Sequence, residues 1–341
     1  MLNGRLGIGV IGCGKIAQVR HLPEYHMCKN AELIGYFDFI PERAEKMAKK
    51  YGGVAFSSVQ ELLNSDKIDA VSVCTANITH AETAVAALRA KKHVLCEKPM
   101  AVTLSECENM LAEAKSAGKL LMVAHNQRLW NTHIKAKELL KKGVIGTPLT
   151  FKTCFGHRGP DHWSVDKGTG NWFFDKNKSA FGVVADLGIH KIDIIRYLLE
   201  SEITELSAMT GTLDKRDADG SPVSVEDNAI ILCKTESGVI GTVSVSWTYY
   251  GEEENGTVIY GTKGHLHIPS SEDGALTVTV FGKEPAVYSV QGQEKSGIID
   301  AFIDAILNGK NSPISAESVI PSMKVMLSAL TAADSGKRTH L

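Results

Sequence analysis

An excess of positive charge is absent from this 341-residue chain: 37 Lys and Arg stand against 39 Asp and Glu, a formal net charge of -2. Nucleic acid and anionic membranes both call for a concentrated basic surface, so neither is expected as a partner, and a small molecule is. No Cys-x-x-Cys spacing occurs. The seven cysteines, Cys13, Cys28, Cys74, Cys96, Cys107, Cys154 and Cys233, are scattered, several inside apolar runs such as Val71–Thr75, and read as buried reduced thiols. No stretch approaches the ~18 apolar residues of a membrane span. The N-terminus offers no apolar segment behind a basic start. These absences point to the cytoplasm. Internal repeats and low-complexity segments are missing too, which leaves a chain with 43% hydrophobic residues, long enough for two globular domains.

The first third alternates short apolar runs with amphipathic stretches. Leu6–Ile11, Glu32–Phe37, Ala70–Cys74, His93–Leu95 and Leu120–Ala124 read as strands that are apolar throughout, which suits a parallel sheet covered on both faces. Thr103 and Glu106 form a capping-box pattern, and Gly118 closes the helix between. The pattern predicts an α/β, doubly wound domain over residues 1–125. Over 126–341 it changes to α+β. A Gly- and Pro-containing loop, Gly156–Trp172, precedes an apolar helix, Val183–Leu199, and beyond it lie alternating strands. In Thr242–Thr248 and Leu276–Val280 one face is apolar and the other carries Ser and Thr, the mark of a mainly antiparallel sheet with one polar face. Helices near Ile298–Leu307 and Ala316–Ala333 close the chain, separated by Gly309 and Pro313.

The first strand runs into Gly12-Cys-Gly-Lys-Ile-Ala17, a G-x-G-x-x-A fingerprint at the start of a helix. Gly12 allows the tight turn, Gly14 lets a pyrophosphate approach the main chain, and Ala17 keeps helix and strand close. The helix N-terminus, with Lys15 and Ile16, offers N–H groups and a favourable dipole to phosphates. Asp38 ends the second strand ~20 residues on, where a ribose-binding carboxylate is expected. A flavin or a methyl donor could use a similar turn, so later motifs must decide. Asp38 favours NAD over NADP: two unit charges ~4 Å apart interact by ~4 kcal/mol at an effective dielectric of ~20. Arg43, the nearest cation in sequence, follows Pro41 at the start of a helix and reads as a surface charge.

Downstream, Asp186, His190 and Asp193 are spaced to share one helical face, with a carboxylate one turn before an imidazole. Polar residues at helical spacing usually mark a solvated face. Here Val183, Val184, Leu187, Ile189, Ile192, Ile194 and Ile195 are too apolar for an exposed helix, so the polar face is expected to line a cleft.

With the fingerprint, Thr75-Ala-Asn77 followed by His80, Glu97-Lys-Pro99 after a strand, and Asp186-x-Gly-x-His190-x-x-Asp193 in that order, the chain resembles the glucose–fructose oxidoreductase / inositol dehydrogenase / rhizopine catabolism (Gfo/Idh/MocA) family over essentially its whole length. The resemblance implies an N-terminal Rossmann domain holding NAD, and a C-terminal open sheet that binds substrate and forms a homodimer or homotetramer interface. It implies Lys98 as active-site lysine, Asp186 as its acidic partner and His190 as general acid/base. Thr75, Asn77, His80, Glu97, Lys98 and Asn126 would lie at the cofactor. Elementary chemistry agrees, because oxidising a secondary alcohol needs a base for the hydroxyl proton and a group for the developing alkoxide. Asp193 is expected to pair with a cation such as Arg196.

Arg128, His157, Trp163 and Trp172 are expected to meet the substrate, since aromatic faces stack on sugar C–H bonds while polar tips take hydroxyls. The Ser/Thr sheet face is expected in the same cleft. No metal is expected, because His157, Asp161 and His162 lack a third fixed ligand in a supporting motif. The reading is an NAD(H)-dependent dehydrogenase acting on a cyclic polyol or sugar. An NAD-dependent glycosidase and a non-catalytic ligand sensor are the alternatives that the resemblance leaves open.

Overall fold

The computed structural model describes residues 4–270 and 274–341. Two compact units form: residues up to His125 with Asn177–Ala180 and Lys295–Ile320, and Asn126–Lys176, Phe181–Glu294 with Pro321–Leu341. The sequence suggests one division between 125 and 126; the chain instead returns to the first unit twice. The second return is anchored by Ser296, which donates its main-chain N–H and its hydroxyl to the buried Glu24 carboxylate at 2.8 and 3.0 Å. The next helix, Ile298–Asn308, buries Ile298, Ile299, Phe302 and Ile303 on one face.

In the first unit six strands, β1 (Leu6–Ile11), β2 (Ala31–Phe37), β3 (Val54–Ala55), β4 (Ala70–Val73), β5 (His93–Cys96) and β6 (Leu121–Val123), pair in the order β3-β2-β1-β4-β5-β6. All are parallel. Every residue of β1 and β4 is buried, as apolar runs covered on both sides must be. The strand order reverses at β1, and ligands bind such sheets outside the carboxyl ends at that point. Thr103 and Glu106 form the reciprocal cap, and Gly118 ends that helix at φ +62°.

The second unit holds nine strands: β7 (Pro148–Gly156), β8 (Ile203–Gly211), β9 (Asn228–Thr235), β10 (Ile240–Ser246), β11 (Thr257–Gly261), β12 (Gly264–Ile268), β13 (Leu276–Val280), β14 (Ala286–Tyr288) and β15 (Thr339–His340). Their order is β14-β13-β12-β11-β7-β10-β9-β8-β15, antiparallel except where β7 meets β10. One face, with Phe151, Ile231, Val243 and Val245, is buried, and the helical segment Val184–Leu199 packs on it. Gly188 brings main chain and sheet together; a Cβ there would lie 3.7 Å from Val245. The registered neighbours Thr242, Ser244, Ile230 and Leu232 point the other way. The expectation that the Ser/Thr face lines the His190 cleft is therefore corrected. Side chains alternate along a strand, and the helix took the apolar face because that is the face whose burial is favourable.

Candidate active site

The nucleotide end belongs to the first unit. Gly12 has φ +92°, and a Cβ there would stand 2.5 Å from the Cys74 carbonyl oxygen, so glycine is required. At Gly14 a Cβ would meet nothing within 4 Å, which leaves room beside the main chain. Lys15 and Ile16 begin the helix, which passes through a wide turn at Ala17–His21 just ahead of Pro23, a residue with no N–H to give. Asp38 accepts the Cys13 N–H at 2.6 Å and the Ile40 N–H at 2.8 Å. Each carboxylate oxygen keeps lone-pair capacity for a ribose hydroxyl. Space at Gly14, the helix N-terminus and Asp38 together fit a dinucleotide.

Other expected cofactor residues act from within. His80 is buried, with Nδ1 2.7 Å from the Pro99 carbonyl and Nε2 3.1 Å from that of Thr75. It ties the loops after β4 and β5 together. Asn77 donates to the Ser179 carbonyl at 2.9 Å, and the Thr75 hydroxyl accepts from Thr79 at 2.8 Å. Glu97 is buried: Oε1 lies 2.8 Å from His21 Nε2, and Oε2 accepts the Lys98 N–H at 3.2 Å. Burial alone would raise its pKa, but the His21 bond and charge, with Arg20 and Lys98, hold it at about 2. Glu97 thus braces the turn that carries Lys98. His21 in turn meets the Ser72 hydroxyl at 3.0 Å, which also meets Tyr25 at 2.8 Å. Sequence reasoning missed this network; its one signal is a serine in the middle of a buried strand.

The segment expected to carry the acid/base pair lies in the second unit. Val184–Gly188 forms a wide turn leading into the helix Ile189–Leu199. Asp186 accepts the Trp247 indole N–H at 3.1 Å. His190 is 8% exposed, its ring 6.1 Å from that of Phe155. Asp193 turns into the interior, where it takes two bonds from Arg128 at 2.7 and 2.6 Å and one from Ser322 at 2.8 Å. Arg196, the partner expected for it, stands 3.9 Å off and pairs bidentately with Glu202. Arg128 is buried by the same contact, which commits two of its N–H groups to Asp193. Asn126 is buried in the short turn Asn126–Leu129. Lys191, next to His190, is fully buried and donates to the Asn255 carbonyl at 2.9 Å; burial pushes its pKa down to about 7.

The Gly156–Trp172 loop is joined to these residues inside its own unit. His157 Nδ1 accepts the Gly159 N–H at 2.9 Å, and its ring meets Phe155 edge-on at 5.9 Å. Trp172 stacks on Phe173 at 3.9 Å, and Trp163 meets the same ring edge-on at 6.0 Å. Phe173 and Phe174 contact Trp247, the residue that donates to Asp186. An aromatic chain therefore runs from the loop to the acid/base segment.

A doubly wound unit with a glycine turn and a strand-end carboxylate has the make-up of a dinucleotide-dependent enzyme. Residues 6–125 match the family described as oxidoreductase family, NAD-binding Rossmann fold, and residues 133–267 match the GFO/IDH/MocA C-terminal domain. The chain belongs to the GFO/IDH/MocA family and is an NAD-binding oxidoreductase. It is 28% identical over 274 residues to myo-inositol 2-dehydrogenase of Thermotoga maritima, covering 80% of this chain and 78% of that one. It is 33% identical over 241 residues to glucose-6-phosphate 3-dehydrogenase of Bacillus subtilis, covering 70% and 67%. In structure it is similar to an aldose-aldose oxidoreductase from Caulobacter crescentus complexed with glycerol, with a TM-score of 0.87, 26% identity and coverage of 99% and 100%. Among the described residues no helix is long and apolar enough to cross a membrane.

Proposed function

We propose that this oxidoreductase transfers hydride between a secondary alcohol carbon of a cyclic polyol or sugar (an inositol, aldose or glycoside) and NAD, with NADP disfavoured by Asp38. The aromatic chain from Trp163 and Trp172 through Phe173 to Trp247 and Asp186 carries the reading. It offers flat apolar surface, suited to the C–H face of a ring, attached to the segment that bears the acid/base group. Nicotinamide, when bound, accepts or returns the hydride. Gly12, Gly14, Lys15, Ile16 and Asp38 hold the dinucleotide in the first unit, where Glu97 and His80 brace the Lys98 and Thr75 loops. His190 takes the hydroxyl proton, Asp186 orients it, and the Lys98 ammonium stabilises the alkoxide. His157, Trp163 and Trp172 contact the ring.

The myo-inositol, glucose 6-phosphate and aldose relatives support the substrate class by their names. Ile230, Leu232, Ile240 and Met209, exposed on the outer sheet face, support assembly into a homodimer or homotetramer through that face. Seven free cysteines suit a reducing, cytoplasmic setting. The test is a panel of inositols, aldoses and glycosides beside simple alcohols and hydroxy acids, run with NAD and with NADP and read by NADH or NADPH absorbance. NAD-dependent turnover of at least one ring compound is expected. Activity confined to simple alcohols or acids, or dependent on NADP, overturns the assignment.

A further inference from the structure

We infer that Lys215 is a specificity-determining positioning residue, which through Asp161 fixes the limb from His157 to Gly168 and so sets how a ring substrate is held. The inference rests on the proposed sugar or polyol reading. Lys215 is 4% exposed, and its ammonium donates to the Arg158 carbonyl at 2.6 Å and to the two Asp161 oxygens at 3.0 and 2.9 Å. Three N–H donors meet three acceptors, so the group is saturated. Its own platform is equally fixed. The main-chain N–H groups of Leu213, Asp214 and Lys215 all donate to the fully buried Asp227 carboxylate, at 2.7, 2.8 and 2.8 Å.

Gly159 shows how close the limb comes to this lysine. Its φ is +98°, and a Cβ there would stand 2.6 Å from Asp161 Oδ1 and 3.0 Å from Lys215 Cε. Asp161 also closes the far half of the limb, its carbonyl accepting the Gly168 N–H at 3.1 Å. The loop's root reaches His190 through Phe155, and its far end reaches Asp186 through Phe173 and Trp247. Lys215 ties down the stretch between. A buried charge pair adds little net stability over apolar packing of the same volume. What it does supply is one fixed geometry, 54 residues apart in sequence, for a segment with little regular structure of its own.

The test compares Lys215→Met, Asp161→Asn and the conservative Lys215→Arg with the unmodified full chain. Hydrogen exchange on the apo protein reads the limb, and steady-state kinetics with the ring compound turned over best reads selectivity. Lys215→Met is expected to speed amide exchange over 158–168 at least tenfold while the β7–β10 core is unchanged. It is also expected to raise KM for the ring compound about tenfold or more with kcat within a few-fold and NAD affinity unaltered. Asp161→Asn shifts both readouts in the same direction, and Lys215→Arg restores most of both. Unchanged exchange in both Lys215→Met and Asp161→Asn overturns the clamp. Faster exchange with an unchanged KM overturns the specificity role and leaves the proposed function standing. If the unmodified protein oxidises no ring compound, the proposed function fails, and the specificity role with it, whatever the exchange shows.

Discussion

In the first unit the groups proposed to meet a ligand are largely main chain: the turn at Gly12, the open side of Gly14, a helix N-terminus, and a carboxylate pinned by the Cys13 N–H. In the second the proposed groups are side chains held by partners far away in sequence: Asp186 by Trp247, the His157–Gly168 limb by Lys215, and the helix of His190 by the Arg128–Asp193 pair. Main-chain recognition demands particular residues at fixed spacing, because only glycine reaches that φ and only a helix start presents free N–H groups. Side-chain recognition leaves the spacing free. On the proposed function, a fold that keeps the cofactor in the first kind of site and the substrate in the second can change substrate without disturbing the cofactor.

The sharpest way to break that division is at His190. Removing a positioned acid/base typically costs ~10²–10⁴ in rate, so His190→Ala should lose that much kcat while NAD affinity, measured by calorimetry, stays within a few-fold. A large loss of NAD affinity in this variant would mean that the two units do not divide the work as described.

Next in size is the buried pair under the catalytic helix. Arg128→Met leaves the Asp193 carboxylate facing Ser322 and, at 3.9 Å, Arg196. Breaking a buried pair from one side costs about 3–5 kcal/mol. Urea or thermal unfolding should register that loss, and Arg128→Met/Asp193→Leu, which removes both charges, should recover part of it. An Arg128→Met protein as stable as the original, with a raised KM, would mark Arg128 as a substrate group rather than a support for Asp193.

These contrasts explain what could be read from the chain. The two-residue strand Val54–Ala55 is too short to show a pattern and was missed, whereas the five strands expected in the first unit, the Thr103 cap and the Gly12–Ala17 turn depend on near neighbours and local periodicity, and the structure places each within a residue or two of its expected ends. The apolar helix around His190 was legible for the same reason. The Arg128–Asp193 pair was not legible because its partners lie 65 residues apart, and a cation ahead of a cleft motif reads as a ligand group. The Ser/Thr strands were placed on the wrong side because alternation says that two faces differ and not which element covers either. Glu97 and His80 were assigned to the cofactor by motif, and the buried bonds by which they also brace their own loops were not legible from spacing. Lys191 gave no signal, since a lysine beside a histidine on a helix ordinarily reaches solvent.

Lys191 also supplies the smallest and most graded test, one confined to the second unit. Its pKa falls from the ordinary 10.5 to about 7 on folding because burial penalises the ammonium, with Cys154 and Glu254 opposing. Between those values the unfolded chain binds more protons than the folded one, so this residue makes stability rise with pH across that window and adds no slope below about 7. The slope is at most about 1.4 kcal/mol per pH unit. Lys191→Met abolishes it, and also leaves the Asn255 carbonyl without its donor, an offset that does not vary with pH. Whatever that offset, the melting temperature of Lys191→Met minus that of the unmodified protein should fall steadily between pH 7 and 10 and stay flat from pH 7 down to 6. A difference independent of pH would mean that the amine titrates in the folded protein as it does in the unfolded chain, and the burial-lowered pKa of Lys191 would have to be abandoned.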